Sequence, residues 1–452
     1  MQQRVENSVK ELKAFFATGA TKQIDFRLRQ LSKLKTAILA NQAEIEEALW
    51  SDLHKSPEES YLTEIGIVLL EIDNQIKHLR GWSKPKRVGS PIFLLPSSSK
   101  IIYEPLGVAL IMAPWNYPFQ LTLNPLVGAI AAGCCAMVKP APASSATSKV
   151  IETIIRDCFD SRYIDIVQGR REVNTILLKQ RYDIIFFTGS PSLGKIVSHA
   201  AADNLTPTIL ELGGKSPCIV DHDATISAAA KRIAWGKFIN AGQTCICPDY
   251  LFVHNSIKEQ LLTAIKDATI EMYGKEPKKS RFYPRIITDS AFEGLCRYID
   301  AAEIYYGGEY DAKERYIAPT IIKNVSPEDD IMQEEIFGPL LPVMTFDNIE
   351  EVYSYVNSHE KPLALYYFGK SGDEVLHNTT SGGSCINDTI MHITNHKLPF
   401  GGVGNSGMGR YHGHESFLAF SNQRAVVTTP TWIDLPFKYA PYSFFKLVKR
   451  LM

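Results

Sequence analysis

Apolar residues in the first eighty positions recur every three or four residues, the spacing that places them on one face of a helix. The pair Ser56-Pro57 interrupts this pattern, since proline does not continue a helix. We therefore predict helices on both sides of the break. The first apolar stripe consists of Phe26, Leu28, Leu31, Leu34, Ile38 and Leu39, and the second of Leu62, Ile65, Leu69, Ile72, Ile76 and Leu79.

A proline-punctuated segment, residues 85–96, follows the predicted helices. Its run Ile92-Phe93-Leu94-Leu95 is too apolar for a solvated linker. We expect the segment to pack against the protein as an edge strand or an arm.

From residue 108 onward, short apolar runs alternate with stretches of roughly 8–15 residues that suit crossover helices. Five such strands with right-handed crossovers form a doubly wound parallel sheet, so the predicted fold class is α/β. Ligands of these sheets bind at the carboxyl ends of the strands. The five runs are residues 108–112, 136–138, 163–167, 184–188 and 208–211.

A second α/β block begins after Gly213-Gly214. It has apolar runs at residues 218–220 and 250–253, a helical pattern at 224–235 and a loop around Cys245, and it continues to about residue 400. A glycine-rich stretch, residues 399–413, comes next. A chain of 452 residues exceeds the usual single core, so two or three domains are expected.

Charge and hydropathy argue against several classes of protein. The 48 lysines and arginines nearly cancel the 49 aspartates and glutamates, so bulk attraction to nucleic acid or anionic membrane is not indicated. The N-terminus lacks the apolar stretch of a signal peptide. The longest apolar run, residues 125–138, predicts a buried helix and strand, since a membrane span needs about 20 residues. The tail at 442–452 predicts a docked or frayed helix, with membrane contact the less favoured alternative.

The cysteines are sparse and lack the spacing of a secreted disulfide scaffold, so we expect reduced thiols in a cytosolic compartment. Cys245 and Cys247 could form half of a metal site, but no second pair of cysteines or histidines with matching spacing follows. Because a structural zinc site needs four ligands, no metal site is predicted. The eight cysteines are Cys134, Cys135, Cys158, Cys218, Cys245, Cys247, Cys296 and Cys385.

Cys245 ends the polar run Asn240-Ala241-Gly242-Gln243-Thr244-Cys245, and Glu211 precedes Gly213-Gly214. A thiol that attacks a carbonyl and a carboxylate that activates water are the two halves of covalent acyl chemistry. The polar run predicts a tight loop that exposes the sulfur and backbone N–H groups. The structural alternatives are an inert buried thiol and a salt-bridged glutamate at a strand end.

The run Gly189-Ser190-Pro191-Ser192-Leu193-Gly194-Lys195 follows a predicted strand and opens a predicted helix. Free backbone N–H groups and the helix dipole make this a ready anion site. The spacing also matches a P-loop, but Ile196 stands where that motif needs a hydroxyl for magnesium, which argues against nucleotide hydrolysis. Phosphate binding and an ordinary turn both remain open, and no G-x-G-x-x-G fingerprint follows a strand in the first half.

Three further motifs each have a structural alternative. Asn116, after the first strand of the sheet, could donate to an oxyanion or form a turn before the next helix. Glu335 and Phe337 stand two apart on an expected extended segment, which points them to the same side. They could bind a ribose and face a flat ring, or merely cap and pack. His412 and His414 lack an acidic partner at a fixed spacing and are interpreted as structural.

Taken together, these runs closely resemble the aldehyde dehydrogenase superfamily over about residues 10–430, with the motifs in the expected order. The short N-terminus, the run at 243–250 and the run at 407–413 are most similar to the class 3 branch, which includes fatty and aromatic aldehyde dehydrogenases. The resemblance implies NAD(P)-dependent oxidation of an aldehyde to a carboxylic acid through a cysteine thiohemiacetal and thioester. It does not identify the aldehyde.

The resemblance also implies a role for each candidate residue. Cys245 would be the nucleophile, Asn116 and the Cys245 backbone N–H would hold the oxyanion, and Glu211 would activate water. The cofactor, NAD or NADP, would lie along the carboxyl ends of the strands. Its implied contacts are Lys139 at the adenosine ribose, Gly189, Ser190 and Gly194 at the pyrophosphate, Glu335 at the nicotinamide ribose and Phe337 against the ring.

One departure from the family concerns this cofactor. The family often has Lys-Pro-Ser-Glu, whose glutamate binds the adenosine ribose 2′-hydroxyl, where this chain has Lys139-Pro140-Ala141-Pro142. The missing carboxylate removes both an acceptor for that hydroxyl and a repulsion against a 2′-phosphate. We expect NADP to be tolerated beside NAD; the sequence does not decide which is preferred.

The implied architecture has a doubly wound, parallel-sheet dinucleotide-binding domain (residues 1–82 and 103–211) and a second α/β catalytic domain (212–415). Bridging or oligomerisation segments would span 83–102 and 416–440, with a tail at 441–452. Class 3 relatives are dimers, so a homodimer is expected, with contacts near Ile92 and residues 428–432. The expected location is cytoplasmic and the expected partner is a small aldehyde, without nucleic acid.

Three alternatives to this function are open. A CoA-acylating relative would pass the acyl group to CoA, but a thiol acceptor does not require the base that Glu211 offers. A thiol hydrolase using Cys245 and a histidine would leave the cofactor motifs without a purpose. A non-catalytic relative is disfavoured because Cys245, Glu211 and Asn116 are all present.

Overall fold

The computed structural model describes residues 1–434, 436–442 and 445–451. The helices are α1 (Gln2–Ala17), α2 (Ile24–Ala40), α3 (Gln42–Leu53), α4 (Pro57–Ser60), α5 (Gly66–Trp82), α6 (Gln120–Ala132), α7 (Ser145–Cys158), α8 (Arg171–Leu178), α9 (Pro191–Ala202), α10 (Ile226–Phe238), α11 (Lys258–Tyr273), α12 (Asp289–Asp300), α13 (Asp330–Gln333), α14 (Ile349–Ser358), α15 (Gly372–Asn378), α16 (His414–Ala419) and α17 (Phe445–Leu451). The strands are β1 (Lys86–Val88), β2 (Ser98–Pro105), β3 (Val108–Met112), β4 (Cys135–Lys139), β5 (Ile164–Ile166), β6 (Ile184–Gly189), β7 (Thr208–Leu212), β8 (Pro217–Val220), β9 (Tyr250–His254), β10 (Ile304–Tyr306), β11 (Tyr310–Asp311), β12 (Tyr316–Ile317), β13 (Thr320–Ile322), β14 (Leu340–Phe346), β15 (Ala364–Phe368), β16 (Gly383–Ile386), β17 (Gly407–Met408) and β18 (Ser421–Thr428).

The first sheet has six strands in the order β17-β7-β6-β3-β4-β5. Its five parallel strands are the five predicted apolar runs, with ends that differ from the prediction by no more than a residue. The sixth strand, β17, was not predicted: it comes from the glycine-rich stretch and pairs antiparallel with β7, opposite Glu211. The apolar run at 125–138 lies within buried α6 and β4, as predicted.

The second sheet has seven strands in the order β10-β13-β14-β9-β8-β15-β16, and only the β10–β13 pairing is antiparallel. The predicted runs at 218–220 and 250–253 are β8 and β9. The helix predicted at 224–235 is displaced, because Thr225 is extended and α10 starts only after it. The α/β fold class is therefore confirmed in both halves of the chain.

A three-stranded sheet in the order β1-β2-β18 is separate from these two, and β11 pairs with β12 in a two-stranded antiparallel sheet. Strands β2 and β18 pair antiparallel over eight residues each, and β1 covers the other edge of β2. Part of the proline-punctuated segment is thus an edge strand, as expected, while Ile92–Leu94 form a 3₁₀ turn. The expected boundary between residues 102 and 103 falls inside β2.

The N-terminal helices bury most of the predicted stripes, but Leu39 and Leu62 are 50% and 72% exposed. Leu39 follows the buried Ile38 directly on α2, so it points about 100° away from the core face. Leu62 lies in a π-helical turn, Tyr61–Ile65, which breaks the period between α4 and α5. Ser56 begins α4 by accepting a hydrogen bond from the Glu59 N–H at 3.1 Å.

The C-terminal tail forms a short helix, α17, which contacts the 3₁₀ turn Ile92–Leu94. This agrees with the docked form of the predicted terminal helix. Leu435, Ser443, Phe444 and Met452 lie outside the described residues. Within the part of the chain that the structure describes, none of the helices has the length and hydropathy needed to cross a membrane.

Candidate active site

The loop that carries Cys245 is shaped by two consecutive left-handed residues. Asn240 and Ala241 both have φ of 51°, which is uncommon for residues other than glycine. Three hydrogen bonds hold the turn: Asn240 N donates to Glu59 Oε1 at 2.9 Å, and Asn240 Nδ2 donates to the carbonyls of Asn116 (2.8 Å) and Gln243 (3.1 Å). The turn is therefore fixed by its neighbours rather than by glycine alone.

Cys245 is the only one of the eight cysteines that is not buried. Cys247, two residues further on, is 3% exposed, and its thiol donates to the Gly242 carbonyl at 3.4 Å. The loop thus leaves Cys245 half-buried and Cys247 buried, whereas the sequence predicted an exposed sulfur at Cys245. All eight cysteines are free of disulfides.

The Cys245 thiol lies in an environment that disfavours its ionised form. Burial raises its pKa most strongly, and the negative charges of Glu335 and Glu211 raise it further. The backbone N–H of Cys245 acts in the opposite direction, so that N–H lies within reach of the sulfur. Both carboxylates are therefore close enough to Cys245 to act on it electrostatically.

Asn116 follows β3 and lies against the Cys245 loop. The side chain is 3% exposed, and its Nδ2 donates to the Gln243 carbonyl at 3.0 Å. Because a carboxamide carries two N–H groups, a second donor remains for a ligand. The next residue adds a second contact between this segment and the Cys245 loop, because the hydroxyls of Tyr117 and Thr244 share a hydrogen bond of 2.7 Å.

Glu211 lies in β7 and is 4% exposed. Neither carboxylate oxygen has a hydrogen-bond partner among the described residues, and no ion pair to Glu211 is found there either. Burial raises the pKa of Glu211 well above its ordinary value, while the charge of Arg410 opposes that shift. The salt-bridge alternative therefore does not describe this glutamate, and an unpaired buried carboxylate beside a thiol is typical of a functional site.

Glu335 and Phe337 do not lie on an extended strand, contrary to the expectation, because Phe337 has a left-handed φ of 52°. They still line one cavity together, with Trp115, whose ring meets that of Phe337 edge-on at 5.3 Å. The Glu335 carboxylate lies against Gly213, where any Cβ would overlap it. Burial, with the nearby charge of Asp249, raises the pKa of Glu335 to about 8.

The nucleotide side of the site lies where β4 and β6 end. Lys139 closes β4 and is 3% exposed. Among the residues that the structure describes, its Nζ donates only to the Pro140 carbonyl, at 2.9 Å, so two N–H groups remain. Burial lowers the pKa of Lys139 to about 8. Ser190 caps α9 by accepting from Leu193 N at 3.4 Å. A Cβ at Gly194 would come within 2.6 Å of Leu212, so glycine lets α9 pack closely on β7.

One feature of the site, an apolar cavity, was not predicted from the sequence. An apolar cavity of about 510 Å³ opens beside Cys245, between α4, α5, α10 and the loop after β16. Each segment contributes only one to five side chains, so no motif marks the cavity. Its apolar lining includes Leu62, Ile67, Leu121, Trp235, Ile239, Met272, Phe282, Ile390 and Phe400, and its acidic lining includes Glu59, whose pKa burial raises to about 7.

The two C-terminal histidines lie outside this cavity. His412 is 2% exposed and stacks on His396 at 5.1 Å, and neither of its ring nitrogens has a partner among the described residues. An acidic neighbour comes from α5 instead of from local sequence, since Glu71 pairs with His396 at 3.2 Å. His414 stacks on Phe417. Their packing agrees with the structural interpretation.

Residues 1–426 match the family model described as "Aldehyde dehydrogenase family". The chain belongs to the aldehyde dehydrogenase family. It is 45% identical to the 4,4'-diaponeurosporen-aldehyde dehydrogenase of Staphylococcus aureus, over 98% of both chains, and 44% identical to a rat enzyme named "Aldehyde dehydrogenase, dimeric NADP-preferring", over 93% and 94%. A solved structure, the substrate-bound state of Staphylococcus aureus AldH, superposes with a TM-score of 0.97 at 44% identity, covering 99% of each chain.

These similarities confirm the resemblance to the family and to its class 3 branch. The protein is an enzyme that oxidises an aldehyde to a carboxylic acid with NAD or NADP. The motifs, taken together as a resemblance to the family, predicted this activity. They could not predict the apolar cavity, which no short run of residues encodes.

Proposed function

We propose that Cys245 is the nucleophile of this oxidation, that Asn116 and the Cys245 backbone N–H bind the oxyanion, and that Glu211 activates the hydrolytic water. The observation that carries this assignment is the position of Cys245. It is the one cysteine that is not buried, and it lies between an apolar cavity and two carboxylates that act on its pKa.

The first half of the reaction begins with the Cys245 thiolate attacking the aldehyde carbon, which forms a C–S bond and moves the carbonyl electrons onto oxygen. The free N–H of Asn116 and the backbone N–H of Cys245 donate to that oxygen. Bound NAD(P) supplies the acceptor for the hydride that leaves the carbon. The product on the enzyme is then a thioester of Cys245.

In the second half, Glu211 takes a proton from water as the water oxygen attacks the thioester carbon. The C–S bond breaks, Cys245 leaves as a thiolate and the carboxylic acid is released. Burial raises the pKa of Glu211, which makes it a stronger base once ionised. A base in this position also disfavours the CoA-acylating alternative, since a thiol acceptor needs no activated water.

The residues on the nucleotide side fit a dinucleotide. Among the described residues, Lys139 keeps two N–H groups without a partner at the end of a buried strand, and α9 begins at Ser190 on the same edge of the sheet, where the helix dipole favours an anion. Gly213 leaves room for Glu335, whose carboxylate would bind the nicotinamide ribose, with Phe337 against the ring. Gly194 supports this arrangement by letting α9 approach β7.

The cavity beside Cys245 favours an apolar aldehyde, aliphatic or aromatic. Most of its lining is apolar, and Leu62 and Phe282 are both markedly exposed there, at 72% and 41%. Exposed apolar side chains that line one cavity are typical of a binding surface for an apolar ligand.

The assignment of the nucleophile is tested by comparing two cysteines of one loop. Cys245→Ala is expected to lose turnover of an aliphatic aldehyde by a factor on the order of a million, as in other enzymes that lose a covalent nucleophile. Cys247→Ser keeps the buried neighbour polar and is expected to retain activity. Reduced cofactor is followed by absorbance with NAD and with NADP. Equal loss in both variants, or activity without a cofactor, would contradict the assignment.

We further propose a homodimer formed through the three-stranded sheet. Strand β18 is its exposed edge, and Ile92, Val427 and Trp432 are 65%, 53% and 77% exposed around it. Light scattering after gel filtration is expected to give a dimer, and Trp432→Asp with Val427→Asp to give a monomer. A wild-type monomer, or an unchanged dimer in that double variant, would overturn the proposal.

We propose a division of the chain that follows the three larger sheets. The six-stranded sheet with residues 1–82 forms the nucleotide-binding domain, the seven-stranded sheet within 212–415 forms the catalytic domain, and β1, β2 and β18 form the bridging arm. The arm then extends to Pro105, so that β2 stays whole. The eight unpaired thiols support a reducing, cytoplasmic location.

A further inference from the structure

A second groove lies on the nucleotide side of the six-stranded sheet, between the loop after β4 and helices α8 and α9. We refer to it as the adenosine groove; its volume is about 630 Å³ and its apolar lining consists of Pro142, Ala143, Leu193 and Ile196. Leu193 and Ile196 are 50% and 53% exposed on α9. Apolar side chains exposed side by side in a groove mark a binding surface, and a flat heteroaromatic ring such as adenine suits this one.

The rim of the adenosine groove is cationic. Arg170 is the N-cap of α8 and Arg171 its first residue, and both line the groove and are exposed. Among the described residues, neither guanidinium has a hydrogen bond or an ion pair, although other arginines such as Arg156 and Arg162 do. Asn174, one turn further along α8, also lines the groove, and its Oδ1 has no partner within the described chain. Cationic hydrogen-bond donors and an amide oxygen acceptor are therefore both available to a ligand.

The loop opposite these arginines carries no negative charge. It reads Pro140-Ala141-Pro142-Ala143, so nothing in it would accept a ribose hydroxyl or repel a phosphate. The nearby acidic side chain is Glu172, whose charge acts on Lys139 at the end of β4. In parallel α/β sheets an acidic side chain near the ribose selects the 2′-hydroxyl of NAD, whereas an arginine accommodates the 2′-phosphate of NADP.

We propose that Arg170 and Arg171 bind the 2′-phosphate of NADP and make it the preferred cofactor, with adenine held between Pro142 and the α9 residues Leu193 and Ile196. Guanidinium groups match phosphate oxygens in pairs of charge-assisted hydrogen bonds, which a 2′-hydroxyl does not replace. The inference rests on the proposed placement of the dinucleotide along β4, β6 and α9.

The test measures binding without catalysis. The dissociation constants of 2′,5′-ADP and 5′-AMP, which differ by the 2′-phosphate, are measured by calorimetry on the full chain. Wild type is expected to bind 2′,5′-ADP at least about tenfold more tightly, equivalent to about 1.4 kcal/mol. Arg170→Ala with Arg171→Ala is expected to bring the ratio of the two constants close to one. Lys179→Ala removes one positive charge at the end of the same helix, outside the groove, and is expected to keep the wild-type ratio.

The same variants are then assayed for the ratio of kcat/KM with NADP to kcat/KM with NAD, which is expected to fall at least about tenfold only when the arginines are removed. Three results would overturn the inference. Wild type could bind 2′,5′-ADP no more tightly than 5′-AMP, removal of the arginines could leave the ratio of the two dissociation constants unchanged, or Lys179→Ala could change that ratio as much as removal of the arginines. If wild type binds 5′-AMP more tightly than 2′,5′-ADP, the ribose 2′-hydroxyl is bound by the Glu172 carboxylate instead of a 2′-phosphate by the arginines. Calorimetry does not need turnover, so a protein that binds 2′,5′-ADP through the arginines but oxidises no aldehyde would contradict the proposed function alone.

Discussion

The two sides of Cys245 are built in different ways. On the cofactor side, polar groups stand at the ends of neighbouring parallel strands: Asn116 after β3, Lys139 at the end of β4 and Glu211 near the end of β7. On the substrate side, an apolar cavity is assembled from helices and loops that are far apart in the chain. The difference indicates that the sheet fixes the chemistry, whereas the helices around it set which aldehyde can reach the sulfur.

The two sides also differ in their electrostatics. On the cofactor side, the carboxylates of Glu211 and Glu335 both lie near the thiol, and burial raises the pKa of each. Burial is the largest cause of the raised pKa of Cys245, and the negative charges of Glu335 and Glu211 on the cofactor side raise it further. Desolvation and like charge therefore both disfavour the thiolate.

The largest effect on the polar side, after removal of the nucleophile, is expected from the amide. Asn116→Ala should lower kcat by about 10²–10³-fold, the usual cost of one oxyanion donor. Steady-state kinetics with a saturating aldehyde measure this loss. Since Asn116 also donates to the Gln243 carbonyl, thermal unfolding is measured in parallel. A near-normal kcat would contradict the oxyanion role, and a near-normal kcat together with a lowered unfolding temperature would show that Asn116 only shapes the turn.

The electrostatic comparison predicts how the thiol responds to pH. Because the pKa of Cys245 is raised, its thiolate fraction, and so its rate of alkylation by iodoacetamide, should rise about tenfold per pH unit between about pH 7 and 9. Glu335→Gln removes a neighbour whose own pKa is about 8, so it should speed alkylation mainly above pH 8, where the Glu335 carboxylate is negatively charged. Mass spectrometry follows the modification, which should stay at Cys245 because the other seven thiols are buried. A rate independent of pH would contradict the raised pKa.

The smallest effect is expected at the mouth of the apolar cavity. Leu62→Glu should lower kcat/KM for a long-chain aldehyde by about 3–10-fold, because each buried methylene contributes about 0.8 kcal/mol to binding. Propanal, which buries few methylene groups, should be affected much less. Leu70→Glu, on an exposed position of α5 outside the cavity, is the matched control. Equal effects on both aldehydes, or in both variants, would show that the cavity does not hold the chain.

The polar side of the site could be predicted from the sequence because each of its motifs is local. A strand followed by Asn116, or by Gly189 and Ser190, carries both its position and its chemistry in a few neighbouring residues. Strand β17 was missed because two residues of a glycine-rich stretch have no apolar pattern, and only pairing with β7 makes them a strand. The π-helical turn that exposes Leu62 was missed for a related reason, since one extra residue in a turn leaves no mark on the composition.

The apolar cavity and the cationic rim depend on tertiary structure. Trp235, Met272 and Ile390 are apolar residues among many, and only folding brings them to one cavity. Arg170 and Arg171 likewise read as an exposed basic pair until α8 and α9 are placed side by side. Glu335 and Phe337 were predicted to face the same side because an extended segment was expected there. Phe337 is instead left-handed, and the two side chains nevertheless line the same cavity.

In the proposed mechanism Cys245 carries the acyl group, and Glu211 activates the water that releases it. The most direct measurement is the intact mass of Glu211→Gln after one turnover with an aldehyde and NAD(P), followed by peptide mapping. We predict one equivalent of reduced cofactor, formed in a burst, together with an acyl adduct on the peptide that contains Cys245, which persists because its hydrolysis is slowed by about 10²–10⁴-fold. A variant that gives no burst and no adduct, or an adduct on any other residue, would contradict this account.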